Sequence, residues 1–316
     1  MNNVIETIKS QLNDPIKYRV VFDVDDVLCC SPILLGVELH SKVPETLEKE
    51  VQQYPACIQV YWQHQGRTYL HFFYPDLDKL ILSILSWKNW SVDFFSFGIR
   101  ERNETVLPEF LKQALSRYID NPTAVYEIIA NSDRLRIFSR HHMVQGSESK
   151  KLSGYETFGN YKKDLTVVSD DIANTILIDD DRSYIVASQY PFISTSYSFS
   201  SKFRDRLRSD TEHSRELVYD PLKNAGYIMG ILLSCKEKLD SGEVTSVRSG
   251  LDLVLQHNTK TVLKPAHRDY SPWFLHPTYE CDSSNPEFLN YMTRWIEKGE
   301  EYWMDKFPTA VVSGDT

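Results

Sequence analysis

The sequence predicts an α/β fold, a parallel sheet with helices on both faces, followed by a mainly helical C-terminal region. Three observations predict it. Short β-branched and aromatic runs such as Tyr18 to Phe22 (YRVVF) and Thr175 to Ile178 (TILI) stop abruptly at acids, as buried parallel strands do. Segments with apolar residues at helical spacing separate these runs, which implies parallel strands joined by crossover helices. After about Ser200 the strand signals give way to an amphipathic stretch from about Pro221 to Leu239.

Taken in order, Tyr18 to Phe22 is the first strand, and Glu45 to Gln53 is charged and helical in pattern. Ile58 to Trp62 and Thr68 to Phe73 flank Gln63 to Arg67, which contains Gly66, and read as a hairpin. Asp76 to Trp87 places Leu77, Leu80, Ile81, Ile84 and Leu85 on one helical face, with Asp76 as the cap. Val92 to Phe95 is a second buried strand, followed by a helix from about Glu104 to Tyr118. Leu135 to Phe138 is a third strand, Lys163 to Ile172 reads as helix, and Thr175 to Ile178 is a fourth strand. A last helix is expected near Glu287 to Lys298. The organisation is a catalytic α/β domain over residues 1–200 and a C-terminal region over 201–316.

Composition narrows the function classes. The 316 residues are 41% hydrophobic and 25% charged, the balance of a soluble globular protein. A formal net charge of -9 gives no bulk attraction to nucleic acid, so no nucleic-acid partner is expected. The opening MNNVIETIKSQLND is polar and lacks the apolar core of a secretory signal. The late apolar stretch Ala225 to Cys235 is too short to span a bilayer. Five cysteines, Cys29, Cys30, Cys57, Cys235 and Cys281, form neither a disulfide framework nor a zinc pattern, and fit a reducing compartment. None has an Arg six positions later, so the loop of cysteine-based tyrosine phosphatases is absent.

Chemistry concentrates at the strand ends, where open α/β sheets bind ligands. Asp23 and Asp25 follow the first strand two residues apart, so one carboxylate can attack phosphorus while the other handles protons. Acids crowded there call for a hard cation such as Mg²⁺. Ser96 ends the second strand, where its hydroxyl and the following N–H can hold a phosphoryl oxygen. In GNYKKDL, a buried Lys162 or Lys163 can neutralise that group and hold the attacking carboxylate. Asp179, Asp180 and Asp181 follow TILI and reach the same crevice if the two strands are neighbours. Singly, each has a plainer reading as a helix cap, a turn residue or a solvated charge.

Together and in this order, the segments resemble the haloacid dehalogenase-like phosphatases, in particular the small C-terminal-domain phosphatase and NLI-interacting-factor branch. VVFDVDDVL is similar to that branch's DxDx(T/V)L, FFSFG to its second motif, GNYKKDL to GNYxKDL and TILIDDD to its last motif. The resemblance covers roughly Lys17 to Ile193 and implies a Rossmann-like sheet with a small cap. It implies Asp23 as nucleophile, Asp25 as general acid/base, Ser96 and Lys163 on the phosphoryl oxygens, and Asp179 beside the lysine. It also implies Mg²⁺ held by Asp23, the main-chain carbonyl of Asp25, and Asp180. Val27 stands where threonine is common, and Asp180-Asp181 where Asn-Ser is common.

The interval from Leu28 to Val92 is too short and too strand-rich for a large cap. An open crevice favours a large substrate, a phosphoprotein, because small metabolites need enclosure. The ending EKGEEYWMDKFPTAVVSGDT, with Glu297, Glu300 and Glu301, resembles the acidic-block translocation signal of bacterial type IV effectors, especially those of Legionella. Such effectors can carry this fold against phosphotyrosine, which points to that substrate and to delivery into a host cytoplasm. Lys202, Arg204, Arg206 and Arg208, with Trp273, Phe274, Trp295 and Trp303, suggest peripheral membrane contact or a packed helical subdomain. The rival functions are a small-metabolite phosphatase and a binding scaffold; intact acids argue against the scaffold.

Overall fold

The structure is a computed structural model that describes residues 2–25, 27–29, 33–34, 57–145, 161–179, 186, 189, 192–193, 224–259 and 286–307. The helix expected over Glu45 to Gln53, the basic stretch Lys202 to Arg208, and Trp273, Phe274, Asp180 and Asp181 lie outside the described residues.

A five-stranded parallel sheet has the order β10-β9-β1-β5-β6, with β1 Tyr18–Phe22, β5 Trp90–Phe95, β6 Leu135–Phe138, β9 Thr175–Asp179 and β10 Phe192–Ile193. From central β1 the chain first builds outward through β5 and β6, then returns to place β9 on β1's other side. The pairs Phe22↔Phe94 and Phe22↔Ile178 align the carboxyl ends of all three inner strands. That reversal of strand order creates the crevice where such sheets bind ligands. Both faces of these strands are buried, which explains their nearly continuous apolar runs. Val20, Phe22, Val92, Phe94, Ile176 and Ile178 join the main core. Val21, Phe95 and Leu177 join a smaller cluster with Met143, Leu165 and Val168 on the second face.

The hairpin appears as β3 Ile58–His64 and β4 Arg67–Phe73, with β2 Ile33–Leu34 on the outer edge of β4. Its two-residue turn has Gln65 at φ 50 and Gly66 at φ 73, the paired positive values that tight hairpins need. Main-chain bonds from Leu28 N and Cys29 N to Val24 O, both 3.0 Å, fold the chain after β1 into a tight turn. Tyr74 N to Leu28 O, 3.0 Å, ties that turn to the end of β4.

The helices are α1 Asn2–Ser10, α2 Leu77–Leu85, α3 Arg100–Ser116, α4 Pro122–Ala130, α5 Asn224–Asp240, α6 Val247–Thr259 and α7 Pro286–Lys306. α2 follows the apolar spacing, but Asp76 does not cap it. Its backbone is left-handed at φ 61 with no side-chain cap bond, and its carboxylate instead pairs with Lys79 at 2.7 Å. The helix expected over Lys163 to Ile172 is absent as well. Two short β strands, β7 Val144–Gln145 and β8 Tyr161–Lys162, precede single 3₁₀ turns at Leu165–Val167 and Ile172–Asn174. Asp164 and Asp171 cap those turns through their own side chains, and such local bonds compete with a continuous helix.

α5, α6 and α7 share one hydrophobic cluster with the sheet and with α2. Trp295 and Trp303 are each 4% exposed, so they pack inward and do not offer an interfacial belt. Trp303 Nε1 donates to Ser83 Oγ of α2 at 3.2 Å, and Trp87 Nε1 donates to Tyr302 OH at 2.9 Å. Among the described residues no helix is long and apolar enough to cross a membrane.

Candidate active site

Asp23 leaves the tip of β1, its N–H donating to Ile178 O at 2.8 Å. The adjacent strand β9 ends on Asp179. Between the two acids lies Lys163, 2% exposed. Its Nζ is 2.7 Å from Asp23 Oδ1 and 2.6 Å from Asp179 Oδ2. Burial alone would lower the lysine's pKa, but the two carboxylates outweigh it and raise it, so the ammonium stays charged. Val186 N to Lys163 O, 3.1 Å, fixes the backbone there. Lys163, which the resemblance singled out from the lysine pair, is the buried one, while Lys162 sits in β8, where it is only half-buried.

Asp25 faces the other side. Arg102 grips it with both prongs, Nη1 to Oδ1 at 2.7 Å and Nη2 to Oδ2 at 2.8 Å. Ser96, at the end of β5, donates its hydroxyl to Asp25 Oδ2 at 3.2 Å and accepts from Gly98 N at 2.9 Å. Burial pushes the Asp25 carboxyl up, yet the Arg102 charge and hydrogen bonds prevail and hold it below the usual carboxylate range. His71, fully buried in β4, feels both groups; burial first, then Arg102, pushes its pKa down to about 4, so the imidazole is neutral.

Thus the structure joins Asp23, Lys163 and Asp179 in one cluster, and Asp25 and Ser96 in a second. Arg102 and His71 belong to the second, and the sequence reading missed both. The signal for Arg102 was its position six residues after Ser96, inside a helix whose start was placed at Glu104 but which begins at Arg100. His71 lies within a strand pattern and gave no signal of its own. Cys57 and Cys235 are free, and burial pushes each thiol up to about 12, which leaves neither as a nucleophile at neutral pH.

For a metal, the hard oxygens at this strand tip are the Asp23 carboxylate and the Asp25 main-chain carbonyl. Among the described residues, no group of three or more His, Cys, Asp or Glu side chains clusters as ligands. The charges nevertheless suit a cation: Asp23, Asp25 and Asp179 bring three negatives against the two positives of Lys163 and Arg102.

No family model matches the chain, and no curated protein does. Among solved structures, it overlaps an arginine-to-alanine variant of the fission yeast RNA polymerase II CTD phosphatase Fcp1, bound to beryllium fluoride, with a TM-score of 0.35 and 12% identity. That overlap covers 82% of this chain and 74% of the other. A second structure of Fcp1, an essential RNA polymerase II CTD phosphatase, overlaps with a TM-score of 0.31 and 13% identity, over 96% of this chain and 67% of that one. These overlaps are loose, and the chemistry rests on the residues of the crevice.

Proposed function

We propose that this protein is a phosphoric monoester hydrolase that works through an aspartyl-phosphate on Asp23, with phosphoproteins as substrates. The observation that carries the reading is Lys163, buried at the strand tips and bridging Asp23 to Asp179. A buried ammonium on a strand-tip carboxylate holds it ionised and aimed, and also supplies positive charge for an incoming phosphoryl group.

In the first step an Asp23 oxygen attacks phosphorus, the ester P–O bond breaks, and the departing oxygen takes a proton from Asp25 in its acid form. In the second step the Asp25 carboxylate takes a proton from water, the water oxygen bonds to phosphorus, and the Asp23–phosphorus bond breaks. In the free protein Arg102 favours the Asp25 carboxylate, the form the second step uses, and the acid form of the first step is favoured by the negative charge of an incoming phosphoryl group. Ser96 and the N–H groups after it meet one phosphoryl oxygen. Mg²⁺, held by Asp23, the Asp25 carbonyl and Asp180, would offset the charge of the phosphoryl oxygens. The interval between the first two motifs is too short and too strand-rich for a large cap, which supports a macromolecular substrate, and the resemblance noted in the sequence points to phosphotyrosine.

Asp23→Asn is expected to abolish hydrolysis of a chromogenic aryl phosphate while keeping the wild-type melting temperature. Near-wild-type turnover in that variant would sink the mechanism. EDTA is expected to stop turnover and added Mg²⁺ to restore it; full activity in chelator would remove the metal. A panel of pTyr, pSer and pThr peptides decides the substrate class, and turnover of free sugar phosphates alone would replace it with small metabolites.

A further inference from the structure

Resting on the phosphatase reading above, we propose that Arg102 is a positioning residue whose two-pronged grip fixes the Asp25 carboxylate at the mouth of the crevice. Asp25 stands three residues beyond Phe22, the last residue of β1, where nothing in the strand backbone sets the plane of its carboxyl group. A planar guanidinium bonded through two parallel N–H groups does set it.

Three observations separate this pair from an ordinary structural ion pair. The first is exposure. The Arg102 side chain is 8% exposed and the Asp25 side chain 26%, so the acid faces the crevice and the arginine stands behind it. Contrast Asp93 in mid-strand β5, held by Arg136 at 2.9 Å and Arg19 at 3.3 Å, where the acid is 0% exposed and no reactant can reach it. The second is bracing. Arg102 Nε and Nη2 donate to Asn103 Oδ1 at 3.0 and 2.8 Å, and Asn103 Nδ2 donates to Ser139 Oγ at 2.9 Å beyond the end of β6. Nη2 also donates to Ser96 Oγ at 2.7 Å. The arginine therefore links the ends of β6, β5 and β1. The third is room. A Cβ on Gly98 would lie 2.1 Å from Arg102 Nη2 and 2.4 Å from its Cζ, so the loop after β5 admits the guanidinium only because residue 98 is glycine.

The test uses the full-length protein and three variants: Arg102→Gln, which removes the charge; Arg102→Lys, which keeps charge without the fork; and Gly98→Ala, which displaces the guanidinium without deleting it. With an aryl phosphate, kcat is expected to fall about 10²-fold in the Gln variant, the scale of a misplaced catalytic group. KM, and inhibition by inorganic phosphate, should stay within about threefold, because the lost interaction acts on the transition state alone. The Lys variant should remain well below wild type and the Ala variant should follow the Gln variant. A parallel rise in KM and in the inhibition constant for phosphate would make Arg102 a direct phosphate ligand and overturn the positioning role. Unchanged kcat, or full recovery with Lys, would overturn it too. A thermal double-mutant cycle of Arg102→Gln with Asp25→Asn needs no turnover and is expected to be non-additive. Additive shifts would remove the grip itself. A wild-type protein that hydrolyses no phosphoester would overturn the phosphatase reading, while this cycle would still judge the grip.

Discussion

Lys163 holds two carboxylates on one buried ammonium, and removing one member of such a buried cluster is strongly destabilising. Lys163→Met would remove the buried ammonium to which both Asp23 and Asp179 are paired. Unfolding in urea is expected to show a loss of about 3–5 kcal/mol together with loss of activity; a Met variant as stable as wild type would overturn the structural part of this prediction. His71 gives a second prediction at this scale. Its folded value of about 4 lies below the ordinary 6.5, so the unfolded chain takes up the proton first. Stability from this group is whole above about pH 6.5 and is lost as pH falls toward about 4, by about 2 kcal/mol between about pH 7 and about pH 5. Urea midpoints for wild type and His71→Asn at those two pH values check it, and equal pH slopes in the two proteins would overturn it. The candidate residues Asp23, Asp25, Ser96, Lys163 and Asp179 were legible because strand-tip acids and the lysine pair of GNYKKDL stand out against apolar runs. Arg102 was not, because an arginine in a charged helical stretch (RERNE) looks solvated until the backbone shows which way it turns.

Elements were readable where one force dominated. β1, β5 and β9 carry apolar runs at Val20 to Phe22, Phe94 to Phe95 and Ile176 to Ile178 because both faces are covered there, and the hairpin was marked by its glycine turn. Where short-range polar bonds compete with periodicity, the pattern misled, as at Asp76 and over Lys163 to Ile172. α4 escaped notice although Asn121 accepts from Ala124 N and Pro122 opens the helix, a capping signal visible in the sequence. The crossing of α5 and α7 could not be foreseen from one helix alone. Gly226 and Gly230, one turn apart on α5, meet α7 so closely that a Cβ at Gly230 would lie 2.0 Å from Trp295 O, and one at Gly299 would lie 2.2 Å from Gly226 O. Those contacts are backbone and cannot swing aside. Gly230→Ala is therefore expected to destabilise by about 1–3 kcal/mol or more, despite the better helix propensity of alanine. A melting temperature equal to or above wild type would show that the helices can part at no cost.

At the scale of the whole molecule, all the proposed catalytic groups precede residue 200, yet the sheet that holds them leans on helices that follow it. α2 connects the hairpin to β5, and its outer side is covered by α7 through Trp303 to Ser83 and Tyr302 to Trp87. Phe307, 7% exposed, packs against Tyr118 just beyond α3 at 5.3 Å between ring centroids. α5 is buried along most of its length, including Tyr227, Ile228, Met229 and Ile231. A chain ending near Leu255 keeps every candidate-site residue but loses α7, and would open the apolar sides of α5 and α2 together. Each large apolar side chain so exposed forfeits about 1.5–3 kcal/mol, and several at once exceed the roughly 5–15 kcal/mol by which a domain is stable. The truncated protein is expected to aggregate or to unfold without a cooperative transition, and to hydrolyse no aryl phosphate. Circular dichroism melting and size-exclusion chromatography read the first outcome directly. A truncated protein that stays monomeric, melts sharply and keeps wild-type turnover would show that the C-terminal helices only place the enzyme, and liposome binding by the full-length chain would then become the informative measurement.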